Sequence, residues 1–322
     1  MRVGIAAVAA LLLILAPAVT AHDWTAPKPQ YAVGDFWLYR LNSTEAAIFT
    51  LNGTLNVSVE SFGSRVVNDT SVPVVQMLFQ GSGALGWSPE LNSSEPLAGT
   101  WEIQGSEFWE TSAYKVVHGY LRVEGSGTFS SQPFSFENVN VTDNVVWNDT
   151  WLFPLDDEGS GRIVSNTTYS MWTNASFPPP IGLQSNHTEG GFVHTVNLTT
   201  EGLWAPRVPA GIWETLRVNE SQEEGYIHHY YAPEIGGDAR TDTFNTTGSL
   251  VSRLELLTYR YQAAETSPPT PAADYTLVIV ATTAAAAGIV TAIALRRRKK
   301  ARVEWRSYEE EIAEGDPPTG GP

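Results

Sequence analysis

Thirteen of the fifteen asparagines in this chain begin an Asn-x-Ser/Thr triplet: Asn42, Asn52, Asn56, Asn68, Asn92, Asn140, Asn148, Asn166, Asn174, Asn186, Asn197, Asn219 and Asn245. Only Asn138 and Asn144 do not. Ser and Thr together make up 56 of 322 residues. Random placement would therefore give roughly three such triplets on fifteen asparagines. The excess marks a chain that passes a secretory membrane and receives N-linked sugar. It also constrains the fold, because the side of each element that carries sugar must face water.

The local pattern meets that constraint with strands. From Leu55 to Val59, Leu55, Val57 and Val59 alternate with Asn56 and Ser58, the period of a half-buried strand with Asn56 outward. The same reading sets Asn140 opposite Val139, Val141, Val145 and Trp147, and Asn219 opposite Leu216 and Val218. Further β-rich runs cover 36–41, 74–79, 114–124, 192–199, 225–231 and 250–261, with no convincing helical period between them. The expectation is an all-β ectodomain, a sandwich or an open barrel, at 22–262. GDFWLYRL (Gly34 to Leu41) and NDTWLFPL (Asn148 to Leu155) share four identities in eight at equal spacing. That similarity suggests two pseudo-repeated halves, 22–143 and 144–262, with Trp37 and Trp151 as matching core residues.

The two ends carry their own signals. Residues 1–21 combine one Arg, an apolar run and a small-residue exit at Val19-Thr20-Ala21, the form of a signal peptide. Residues 263–274 are Pro-rich and read as a semi-rigid stalk, with Thr266, Ser267 and Thr270 available for O-linked sugar. Residues 275–295 contain no charge and would span about 31 Å as a helix, enough to cross a bilayer. Arg296, Arg297, Arg298, Lys299 and Lys300 follow directly. By the positive-inside rule they place the tail, 296–322, in the cytoplasm and leave all thirteen triplets outside. This is a single-pass type I topology with the lipid bilayer as a partner. Ala284, Gly288 and Ala292 form a small-residue stripe suited to a homodimer contact, and Trp305 and Tyr308 could meet a cytoplasmic partner.

Charge and cysteine narrow the class. Between signal peptide and tail lie 11 basic and 29 acidic residues, a net −18. Such a field opposes nucleic-acid binding. There is no cysteine, although secreted domains commonly use disulfides, so the fold must rest on its core. Abundant triplets, no cysteine, a simple signal peptide and a basic-flanked anchor together resemble archaeal single-pass cell-surface glycoproteins. In addition, VPAGIWETLRVN (Val208 to Asn219) followed by YYAPEIGG (Tyr230 to Gly237) resembles secreted prokaryotic β-rich domains of unknown function. That resemblance implies an open barrel with a structural or hydrophobic-ligand role and supplies no catalytic residues. Pro209-Ala210-Gly211 and Pro233 with Gly236-Gly237 read as turns.

Motifs that would carry chemistry are poor. GSGALG (Gly81 to Gly86) matches G-x-G-x-x-G, but WSPELNSSEP follows instead of a helix, so it reads as a glycine turn. His228 and His229 are adjacent and on a strand would face opposite sides. A metal would then need one of them with distant ligands such as Glu223 or His194. Asp156-Asp157-Glu158 lacks the alternating oxygens of a calcium loop and reads as a solvated turn. No nucleophile elbow occurs. Trp87, Trp101, Trp109, Trp172, Trp204 and Trp213 are either core or platforms for sugar or lipid. The sequence thus reads as a membrane-anchored surface glycoprotein without catalysis, cofactor or metal, associated with envelope glycans or surface-layer proteins. Extracellular carbohydrate or lipid binding is the alternative.

Overall fold

The computed structural model describes residues 25–46, 49–87, 97–111, 115–129, 131–150, 153–178, 182–223 and 225–262. Its strands are β1 (Phe36–Ala46), β2 (Phe49–Val67), β3 (Thr70–Trp87), β4 (Leu97–Glu110), β5 (Lys115–Phe129), β6 (Gln132–Thr150) and β7 (Ser160–Ser176). They continue as β8 (Leu183–Trp204), β9 (Arg207–Val208), β10 (Gly211–Ile212), β11 (Thr215–Gln222), β12 (Gly225–Ala232), β13 (Gly237–Asn245) and β14 (Leu250–Arg260). Twelve of them form one antiparallel up-and-down barrel, closed where β1 pairs with both β2 and β14. The remaining pair, β9 and β10, makes a small hairpin through Pro209-Ala210.

This closure corrects the expectation of a sandwich or open barrel in two repeated halves. Gly34 to Leu41 leads into β1, where Trp37 is buried. Asn148 to Thr150 instead end β6, Leu155 makes an isolated bridge with Ala26, and Trp151 lies outside the described residues. The matched Asp35 thus precedes a strand while the matched Asp149 ends one. The expected membrane helix is not part of the fold either. Among the described residues no helix is long and apolar enough to cross a membrane, and 275–295 lies outside them. The signal peptide, the stalk, the dimer stripe at Ala284, Gly288 and Ala292, and the basic run Arg296 to Lys300 also lie outside them.

Alternation dictates what fills the barrel. The inward set of Trp37, Tyr39 and Leu41 on β1, Leu55, Val57 and Val59 on β2, and Met77 and Phe79 on β3 is buried, joined by Trp101 and Trp109 of β4. Burying each such side chain contributes roughly 1.5–3 kcal/mol. At one end Phe49 stacks on both Phe134 and Phe136, at 5.3 and 5.4 Å, joining β2 to β6 across the interior. The tight curl this needs is permitted by glycine. Gly53 and Gly83 are cross-strand partners, and a Cβ on either would collide with the backbone of the other's strand. The segment Gly81 to Gly86 is therefore an interior portion of β3 and not the expected turn.

The other expected turns form. Pro233–Ile235 makes a single 3-10 turn between β12 and β13, ended by Gly236 in the left-handed region (φ 62°). Trp37 Nε1 donates to the Ile235 carbonyl at 2.7 Å, so this turn is tied to the opposite side of the closure.

Candidate functional site

Most of the Asn-x-Ser/Thr asparagines that the structure describes lie at outward or exposed positions. Asn42 on β1 and Asn52 on β2 are direct cross-strand partners, both exposed. Asn56 lies on the same face further along β2, opposite Leu38. Asn68 and Asp69 form the two-residue tip between β2 and β3 with φ of 48° and 61°, the conformation that Asn and Asp tolerate in such hairpins. Asn166, Asn174 and Asn197 are exposed on β7 and β8. Asn219 and Asn245 are half-buried, and the Asn245 side-chain oxygen accepts bonds from the Thr247 and Ser249 amides, both at 3.0 Å. Asn186 shares the inward parity of Val196 and Leu198 on β8 yet remains partly exposed. Asn148 belongs to β6, and Asn92 lies outside the described residues.

Asn140 departs from the expectation. The alternation around it was read as placing it on the wet side, with the flanking valines inward. In the barrel Asn140 is only 8 % exposed and points inward with Phe134 and Thr142, and its side-chain oxygen has no partner. The register explains this. Asn140 pairs with Leu121 on β5 and Met171 on β7, both on the inner face. The inner wall at β6 and β7 is polar, with Thr142, Ser165 and Thr167 buried as well. A valine-flanked polar residue is thus not a guide to facing here.

Two shallow grooves run over the outer sheet. One, of about 590 Å³, lies over β1, β2 and β14 and includes Arg40, Asn42, Asn52, Thr54, Arg253 and Glu255. The other, of about 570 Å³, crosses β4 to β8. There Glu102, Glu124, Glu137 and Asn174 stand in cross-strand register, and Arg122 bridges Glu124 and Glu137 at 2.6 and 2.8 Å. These outward positions on β1, β2, β5 and β6 are polar. Elsewhere the outer surface exposes Val66, Tyr120, Trp172 and Val193, so it is of mixed character.

The strongest electrostatic feature is inside. His229 on β12 is completely buried. Its Nδ1 lies 2.7 Å from Asp238 Oδ2 and its Nε2 lies 3.3 Å from Glu220 Oε2. Burial alone would lower the imidazole pKa, but the two carboxylates outweigh it and raise it to about 9. Both ring nitrogens therefore carry protons and donate. Thr241 Oγ1 also donates to Asp238 Oδ2 at 3.1 Å, and the Tyr39 hydroxyl donates to the Asp238 carbonyl at 3.1 Å. Asp238 Oδ1 has no protein partner, and Asp238 lines a cavity of about 20 Å³, room for about one water. A second carboxyl, the half-buried Glu107 on β4, is pushed up to about 8 by its partial desolvation, offset in part by the Trp109 indole that donates to it at 2.9 Å.

The expected candidates fall in different places. His228 faces outward, 3.8 Å from Glu201, while His229 faces inward, so the pair cannot share an ion. His194 faces the interior near Glu220, where burial lowers its pKa, and Glu223 is exposed in a turn. Among the described residues no group of three or more His, Cys, Asp or Glu is placed to hold a metal. Trp101 and Trp109 are core. Of the exposed tryptophans, Trp172 stacks on His187 at 4.8 Å, and Trp204 is covered by the Arg217 guanidinium at 4.0 Å. Glu220 was readable in principle, since it keeps the inward parity of Leu216 and Val218.

Chemically, a protonated imidazole held between carboxylates in a sealed core stores charge and fixes three strands, but it cannot reach a substrate. No protein-family model and no curated protein matches the chain. Among solved structures, it is similar to a Bacteroides fragilis protein described as exported and as having a YMCC-like fold. The two are 11 % identical, over 73 % of this chain and 99 % of that one, with a TM-score of 0.27. A likeness at that level carries no argument about fold or role.

Proposed function

We propose that the chain is an exported, non-catalytic, glycan-coated β-barrel that serves a structural role at the cell surface, held there by the apolar, basic-flanked segment after residue 274. The observation that carries this reading is the facing of the acceptors. Asn42, Asn52, Asn56, Asn68, Asn166, Asn174 and Asn197 all sit on the water side of a closed sheet whose strands β1 to β4 turn an apolar face inward. The lipid-binding alternative draws little support from the described core, where Phe49 stacks on Phe134 and Phe136 and the space beside Asp238 is about 20 Å³. The outer grooves are polar enough for sugar, but the exposed tryptophans are engaged by His187 and Arg217.

The test is site-by-site glycopeptide mass spectrometry on the chain purified from its own host, combined with protease shaving of intact cells. Sugar on the outward acceptors and loss of the barrel from shaved cells are expected. Unmodified peptides at every acceptor, or a barrel protected inside intact cells, would overturn the reading.

A further inference from the structure

Arg40 occupies the centre of a triangle of acceptors. It lies two residues from Asn42 on the outward face of β1 and directly opposite Thr54, the hydroxyl residue of the Asn52 triplet. Asn52 and Asn56 are then its diagonal neighbours across the strand pair, at separations of roughly 7–8 Å that a long side chain spans. Its side chain is 55 % exposed, and its guanidinium is held by Glu255, which accepts from Nε at 3.1 Å and Nη2 at 2.6 Å. Glu255 engages two of the five N–H donors that a guanidinium carries, and Arg40 lines the groove of about 590 Å³ that Asn42 and Asn52 also line.

We propose that this groove is a seat for the chain's own N-linked sugars at Asn42 and Asn52, with Arg40 as the positioning residue that donates hydrogen bonds to sugar hydroxyl or carboxylate oxygens. The inference rests on the glycoprotein reading above. Two chains attached at directly paired positions cannot both rise perpendicular to the sheet without crowding, and the groove gives them a surface to lie along. A held guanidinium fork suits oxygen-rich ligands of this kind. Asn166 on β7, by contrast, pairs with Val145 and Val193, so no cation stands directly opposite it, whereas Asn197 pairs with Arg162.

The experiment is mild periodate oxidation of the native glycosylated chain, followed at each site by glycopeptide mass spectrometry. Periodate cleaves vicinal diols whatever the sugar, so the sugar need not be identified first. Diols on Asn42 and Asn52 should react about fivefold more slowly than those on Asn166, the factor one net hydrogen bond of ordinary strength supplies. Arg40→Ala should abolish the difference, and Arg40→Lys should restore part of it. Equal rates in the unaltered protein, or protection that persists in Arg40→Ala, would overturn the seat. Sugar on Asn197 but none on Asn42 or Asn52 would overturn it while leaving the glycoprotein reading intact. No sugar at any acceptor would overturn both.

Discussion

His229 and Asp238 are joined by a 2.7 Å contact in which neither side chain reaches solvent. With Glu220 on the other ring nitrogen, one positive group binds two negative ones, and strands β11, β12 and β13 are tied together through it. Removing the imidazole leaves two buried carboxylates facing each other. His229→Leu should cost about 3–5 kcal/mol, the usual consequence of breaking a buried pair from one side. A denaturation midpoint unchanged in chemical unfolding would refute the relay's role.

The two raised pKa values give the barrel a definite pH dependence. Glu107 binds its proton up to about pH 8 when folded but only to about 4.5 when unfolded, so its contribution is greatest below 4.5 and declines as pH rises toward 8. His229, raised from 6.5 to about 9, contributes fully below 6.5 and loses that contribution as pH rises through 9. His194 and His228 are lowered, so they favour the folded state as pH climbs toward 6.5 and add nothing further above it. Between pH 7 and 9 the decline is therefore unopposed by these histidines. Melting temperature should fall across that window, and Glu107→Gln should flatten its lower half. A melting temperature that rises from pH 7 to 9 would contradict both assignments.

Gly83→Ala tests the curl of the sheet. The added methyl meets the backbone of Asn52 and Gly53, which no side-chain rotation relieves. Overpacking of this kind costs about 1–3 kcal/mol or more. Gly63→Ala, where nothing lies within reach of the new methyl, should be nearly silent in the same thermal unfolding assay.

Asn140 should stay bare in glycopeptide maps that find sugar on Asn166 and Asn197, because a folded barrel has no room for sugar at a position 8 % exposed. Asn140→Leu should be neutral or stabilising by about 1 kcal/mol, since it removes a buried oxygen that lacks a partner. Sugar at Asn140 in the folded protein would show that this register of β6 is wrong.

Several features of this architecture were legible from alternation alone. Leu55, Val57 and Val59 face inward and Asn56 faces outward, as their period requires. Closure was not legible, because the pairing of β1 with β14 joins residues more than two hundred positions apart, and no local pattern encodes it. Asn140 misled for a different reason. Its wall of the barrel is polar inside and partly apolar outside, so the usual inference from side-chain character to facing inverts. The buried relay was hidden by a register shift. Strict alternation along Gly237–Asn245 groups Asp238 with Arg240 and Asp242, but an irregularity between Tyr230 and Tyr231 pairs these with Arg240 and Asp238. Asp238 then turns in beside Thr241, while Asp242 stays on the outer side, clamped by Arg240 and Arg253. Parity breaks at such a shift, and nothing in the residue types announces where it falls.

The closing seam also brings the two ends of the barrel's strand order together. Arg260 donates to the Gly34 carbonyl, the Gln30 amide to the Tyr261 hydroxyl at 2.9 Å, and the Gln262 amide to Asp35 at 2.8 Å. Whatever tugs on the segment after Gln262 therefore meets several linkages loaded together, and the strain passes straight into the strap before β1. A pull on the chain at Gln262 would load these linkages together, so the last strand is held against peeling from the first.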